Sequence, residues 1–164
     1  MEPRKNKILI LALGNDIMGD DGAALAAADL LEKQYADEID IFRISSAGFM
    51  LLDLLEGYEK VIIMDTILTT GEPGKFRELT LAELSGRLST SPHYAGLPEV
   101  ILLADKLGIK FPEVIKIFVI EIDEPFTIRQ GLSFKIRYNV HLYAGKISEQ
   151  INEWIYAHED KIPA

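Results

Sequence analysis

Lys7–Gly22 reads KILILALGNDIMGDDG, and everything else in the chain is best understood outward from it. Ile8 to Leu13 is an unbroken apolar run that closes on Gly14, turns polar at Asn15-Asp16 and ends in the adjacent carboxylates of Asp20 and Asp21. An Ala-rich segment of helical character follows. A buried strand passing through a loop into a helix N-terminus is the opening unit of an α/β sheet. In such sheets ligands bind in the crevice outside the carboxyl ends of the strands, so the two acids stand where chemistry is usually done.

They do not read as a phosphate site. Gly14 and Gly19 lack the G-x-G-x-x-G spacing, Ala12 occupies the first glycine position, and no Lys-Ser or Lys-Thr follows, which removes the P-loop as well. A helix N-terminus attracts anions, but here Asp20 and Asp21 already occupy the positive end. A cation is the better match.

At 164 residues, 48% of them hydrophobic, the chain has the size of one domain spanning 1–164. A formal net charge of −9 argues against non-specific binding to nucleic acid or to an anionic membrane. The chain has no cysteine, so disulfides, thiolate metal ligands and a cysteine nucleophile are all excluded. Arg4, Lys5 and Lys7 ahead of an apolar run resemble a signal peptide, but Asn15, Asp16, Asp20 and Asp21 follow where a small-residue cleavage site would stand. No stretch approaches the roughly 20 apolar residues of a membrane span. The expectation is a cytoplasmic protein.

Further along, Gly22 to Tyr35 reads as a helix capped by Asp20, and its alanines imply close packing on a sheet. Ile39 to Ile44 reads as a second strand and Lys60 to Ile67 as a third, apolar on both faces but carrying Asp65 near its end. Phe49 to Leu55 is a short helix, Lys75 to Leu79 a short edge strand, and Leu81 to Leu84 a helical turn. Leu97 to Leu107 has helical periodicity, and Val114 to Ile122 is another buried strand. The last helix begins near Ser133 and carries Ile136, Val140, Tyr143, Ala144, Ile147, Ile151, Trp154 and Ile155 on one stripe. Strand–helix alternation of this kind implies a three-layer α/β fold, a mostly parallel twisted sheet with helices on both faces. With the first strand central and the second and third on either side, Asp21 and Asp65 face one crevice.

Three candidates for chemistry follow. Helix capping accounts for one of the adjacent acids Asp20 and Asp21 and leaves the other for function. Asp65 is an acid on an otherwise apolar strand, and a buried carboxylate must be paired or metal-bound. His93 lies in the loop Ser91-Pro92-His93, whereas His141 and His158 fall in the C-terminal helix as surface residues. Two carboxylates and an imidazole from three loops suit a borderline divalent ion such as Ni, Zn or Co. Three protein ligands leave coordination positions open, as a catalytic or substrate-exchanging site needs.

The segments GNDIMGDDG, SSAGFMLLDLL, VIIMDTI and SPHYAGL occur in the order and at roughly the spacing seen in hydrogenase maturation endopeptidases, which the chain resembles from about Lys7 to its last helix. Ala12 departs from a glycine common in that family, and Asp21 stands where some relatives have the longer Glu. By motif, the resemblance implies metal ligation by Asp21, Asp65 and His93 and catalysis by Asp21 and Asp65. It assigns substrate contacts to Asn15 and Gly48. It further implies an endopeptidase that removes a C-terminal peptide from a [NiFe]-hydrogenase large-subunit precursor after nickel insertion. The nickel is then supplied by the substrate, although other divalent metals could occupy such a site. The competing readings are a non-catalytic nickel-binding maturation chaperone and a divalent-cation-binding receiver-like signalling domain. The receiver reading is the weaker, because the late strand ends IEIDEP with no lysine where that class places one.

Overall fold

In the computed structural model of the chain, which describes residues 6–45, 48–69, 71–85, 97–123 and 127–159, β1 (Ile8–Leu13) is buried at every position. A strand covered by helices on both faces must be. It forms a five-stranded sheet with β2 (Asp40–Ile44), β3 (Lys60–Leu68), β4 (Phe76–Leu79) and β5 (Val114–Ile122), in the order β2-β1-β3-β5-β4. The first four strands in that order are parallel, and β4 closes the edge antiparallel to β5. As expected, the second and third strands lie on either side of the first, although the middle strand of the five is β3.

Alternation along each strand divides the core in two. Ile8, Ile10 and Ala12, with Ile62 and Met64, face the layer built by α1 (Ala23–Tyr35) and α5 (Phe134–Glu159). Leu9, Leu11 and Leu13, with Val61 and Ile63, face the layer of α2 (Met50–Leu55) and α4 (Leu97–Leu107). Ala23, Ala24, Ala27 and Ala28 of α1 are fully buried, so the helix backbone approaches the sheet as closely as its composition implies. On α5 the whole stripe from Ile136 to Trp154 is buried in the same layer. Each large aliphatic there, Ile147 for example, contributes about 1.5–3 kcal/mol relative to exposure. A short helix, α3 (Leu81–Ser85), starts on a capping box. Thr80 Oγ1 accepts from Glu83 N at 3.1 Å, and Glu83 Oε2 accepts from Thr80 N at 2.8 Å. These bonds hold the Glu83 carboxyl below its ordinary range, the Thr80 backbone N–H being the largest cause.

Strand lengths set the site. The β1–β3 pairing ends at Ala12↔Met64, whereas β3 stays paired with β5 as far as Leu68↔Ile122. β3 therefore overhangs β1 from Asp65 onward, leaving a step at the carboxyl ends of β1 and β2. Among the described residues no helix is long and apolar enough to cross a membrane.

Candidate active site

The chain leaves β1 through Gly14, whose N–H donates to Ile44 O at 3.1 Å and adds one last rung towards β2. A Cβ on Gly14 would collide with the backbone carbonyl oxygen of Asp21. The missing side chain is therefore what lets the acidic loop fold back over the end of β1. Asn15 then shapes the loop. Its Oδ1 accepts from Ile17 N at 3.2 Å and its carbonyl accepts from Met18 N at 3.1 Å, the pattern by which Asx side chains stabilise turns.

Distant chain fixes the far side of this loop. Gly19 N donates to Arg129 O at 2.8 Å, and Arg129 N donates to Ile17 O at 3.0 Å. Gly19 has φ 58, a left-handed conformation that glycine adopts without steric cost. A single 3-10 turn, Gly19–Gly22, follows and carries both acids.

The two acids part company there. Asp21 is 6% exposed, and its Oδ1 accepts from the Thr66 hydroxyl at 2.7 Å. Asp65 is fully buried on β3, and its Oδ1 accepts from the Thr66 backbone N–H at 2.7 Å. Two carboxylates from separate elements thus meet on one residue at the step beside β1. Asp20 points elsewhere. Its Oδ1 accepts from Ser133 N at 2.6 Å and from Arg129 Nη2 at 3.3 Å.

This corrects the expectation that Asp20 caps α1. The 3-10 turn delays α1 to Ala23, its N-cap is Gly22, and no side chain caps it. Asp20 instead supports the start of α5, where Ser133 precedes the first helical residue. Gly48, with φ 75, accepts Leu51 N at 3.1 Å and opens α2. Asn15 and Gly48 follow the parallel strands β1 and β2, so both lie at the same end of the sheet as the acids. His141 is exposed on α5. His93 lies outside the described residues. Among the described residues no three His, Cys, Asp or Glu side chains gather closely enough to hold a metal ion.

Sequence reasoning passes over Thr66 and Tyr143. Thr66 carries a signal, being a polar residue beside the acid in an apolar run. Tyr143 carries none, because it reads as one more core position of the α5 stripe. It is fully buried, and its hydroxyl donates to Phe118 O at 2.6 Å. Burial, and then the nearby Asp65 charge, push its phenol well above the ordinary tyrosine range, against a backbone hydrogen bond with Asp65 that lowers it.

A cavity of about 410 Å³ shares Gly19 and Gly22 with the acidic turn and is otherwise lined by residues such as Ile17, Leu25 and Arg43. Neither Asp21 nor Asp65 lines it. Arg43 is held by Asp29 at 2.7 and 3.0 Å and by Glu32 at 2.7 Å, so its charge is already matched.

Residues 26–150 match a family model described as hydrogenase maturation protease. A hydrogenase expression/formation protein, HupD, of Bradyrhizobium diazoefficiens is 32% identical over 108 residues, which is 63% of this chain and 56% of that protein. The hydrogenase 2 maturation protease of Escherichia coli is 29% identical over 100 residues, 58% of this chain and 61% of that protein. The chain thus spans somewhat over half the length of the curated relatives it matches. Among solved structures, the hydrogenase maturating endopeptidase HybD from E. coli superposes with a TM-score of 0.77 at 23% identity, covering 90% of this chain and 93% of that one. That likeness is one of fold. The [NiFe] hydrogenase maturation protease HybD from Thermococcus kodakarensis superposes with a TM-score of 0.68 at 25% identity, covering 88% and 98%.

Proposed function

The chain belongs to the hydrogenase maturation protease family, and from that premise we propose that it is a cytoplasmic endopeptidase that removes a C-terminal peptide from a nickel-loaded [NiFe]-hydrogenase large-subunit precursor. The observation that carries this reading is the pair of buried carboxylates, Asp21 and Asp65, joined through Thr66 at the step between β1 and β3. Two buried acids held by one residue at the carboxyl end of a parallel sheet, where strand order reverses, stand where such sheets bind ligands.

On this reading nickel is part of the substrate, carried in by the precursor. The donor set suits that role. Aspartate oxygens are hard ligands that hold a free borderline ion weakly without soft partners, and the chain has no cysteine to add one. Among the described residues Asp21 makes no side-chain hydrogen bond beyond the one from Thr66, which leaves its second oxygen for an ion or a water. His93, which follows Ser91-Pro92 in the sequence, would be the third ligand on this reading.

Asp21 keeps the little exposure the pair has, 6% against none for Asp65. It is therefore the carboxylate that meets the incoming substrate and takes a proton from the attacking water, a role that requires hydrogen-bond reach before anything else. Asp65 fixes the geometry behind it and adds negative charge that favours a bound cation. Most of the rate enhancement then comes from holding water, metal and scissile carbonyl in register. Asn15 and Gly48, at the same end of the sheet, would border the bound precursor.

The test is to incubate the purified protein with nickel-loaded and nickel-free precursor and to follow shortening by mass spectrometry. Cutting of the loaded form alone, lost in His93→Ala, is the expected result. Equal cutting of both forms would reject recognition through the substrate's nickel. Cutting of neither, with the protein folded, would favour a non-catalytic nickel-binding chaperone.

A further inference from the structure

Among the described residues, Thr66 donates to both carboxylates, and it does so with different groups. Its backbone N–H donates to Asp65 Oδ1 and its hydroxyl donates to Asp21 Oδ1, each at 2.7 Å. We propose that Thr66 is a positioning residue that sets the orientation of the Asp21 carboxylate relative to Asp65, so that the oxygen of Asp21 left over is presented to the substrate. This rests on the endopeptidase reading above and names a residue that reading does not require.

Three features carry the inference. The first is that Thr66 is 4% exposed on a strand otherwise built of buried apolar residues. A buried hydroxyl needs a partner, but a strand in this position needs no hydroxyl, since valine or isoleucine fills the same pleat. The second is direction. Successive strand side chains alternate faces, so Thr66 shares the side of Ile62 and Met64, the layer in which α1 lies. Asp21 arrives from that layer, one turn ahead of α1, whereas Asp65 belongs to β3 itself. Thr66 is thus the point at which the loop acid is referenced to the strand acid. The third is stiffness. Threonine is β-branched and restricted at χ1, and Thr66 is still paired with Ile120 in the β3–β5 ladder, so its hydroxyl has a fixed place from which to hold a carboxylate on a loop.

A purely structural role would have the hydroxyl meet its own need by taking whichever acceptor lay closest. The two roles separate experimentally. Thr66→Val keeps the shape and the backbone bond to Asp65 and removes only the donor to Asp21. Thr66→Ser keeps the donor and loses the methyl group. Residues that orient a ligating or catalytic group usually cost about 10–100-fold when removed. The expected result is that Thr66→Val lowers kcat for precursor shortening by about 10–100-fold while KM stays within about twofold, and that Thr66→Ser restores kcat to within about threefold.

Wild-type kcat in Thr66→Val would overturn the proposal. So would an equal loss in Thr66→Ser, because the methyl group would then be what matters. If the wild-type protein does not shorten the nickel-loaded precursor at all, the endopeptidase reading falls by itself. The positioning role is then decided by titrating Zn²⁺ alone into the three proteins and following the amide resonances of Gly22 and Thr66. Saturation at about 10-fold higher Zn²⁺ in Thr66→Val, recovered in Thr66→Ser, supports it. Identical behaviour of all three, including no response in any, overturns it.

Discussion

Removing the Asp20 carboxylate should loosen the start of α5, not the start of α1. Its Oδ1 takes the Ser133 N–H at 2.6 Å in a partly buried setting, with the Asp20 side chain 14% exposed. A hydrogen bond to a charged group contributes about 1.5–3 kcal/mol. The pair with Arg129, at 3.3 Å and half exposed on the arginine side, adds at most about 1 kcal/mol. Asp20→Ala should therefore cost about 2–3 kcal/mol, and at roughly 2–4 °C per kcal/mol for a domain of this size Tm should fall by about 4–12 °C. Asp20→Asn keeps an acceptor oxygen and should lose about half as much. Thermal denaturation gives the size of the effect, and hydrogen exchange gives its location. Protection should drop at the Ser133 amide and the first turn of α5, while Ala23 to Leu25 exchange as before. Loss of protection in the first turn of α1 with Ser133 unchanged would refute the assignment, as would a Tm within about 1 °C of the wild type.

Asp21→Asn should abolish precursor shortening while moving Tm by no more than about 2 °C, since asparagine still offers the Thr66 hydroxyl an acceptor. Loss of cleavage in Asp20→Asn but not in Asp21→Asn would reverse the roles of the two acids. Gly14→Ala should lower stability by about 1–3 kcal/mol and displace the acidic turn, because the new Cβ meets the Asp21 carbonyl; denaturation and crystallography of the variant check both parts. Tyr143 gives a pH dependence. Its folded-state pKa is raised, so its contribution is fully present below the ordinary tyrosine pKa of about 10 and is lost as pH climbs above it. Tm measured from pH 8 to 11 should fall more steeply in the wild type than in Tyr143→Phe, and parallel curves would refute the point.

Hydrophobic period makes most of the fold legible in the sequence. The apolar runs Ile8–Leu13 in β1, Val61–Met64 in β3 and Ile117–Ile120 in β5 are too continuous for a half-exposed sheet, and the α5 stripe repeats at helical spacing. Those features already imply parallel strands gathered around β1. The site is legible only where a residue breaks its local pattern, as Asp65 breaks β3. Capping judged from neighbours in sequence assigns Asp20 to the wrong helix, because its partner Ser133 lies 113 residues away. Gly14 looks like the end of a strand, and the collision it avoids depends on a loop path that no periodicity describes. The antiparallel pairing of β4 is equally hidden, since a four-residue edge strand carries no signal of direction.

The tie between the acidic loop and the Arg129–Ser133 segment has a temporal side. The chain from β1 to β3 already contains Asp21, in the turn before α1, and Asp65 and Thr66, on β3, and the parallel pairings of β1, β2 and β3 need nothing beyond Leu68. The loop that carries Asp21, however, is fastened by bonds spanning 109 and 113 residues, and closing so long a segment costs chain entropy that only the finished contacts return. Contacts of that span form late in folding. A chain still emerging from synthesis would hold both carboxylates on a growing sheet while their spacing stayed loose, and the site would become set only when the start of α5 docked.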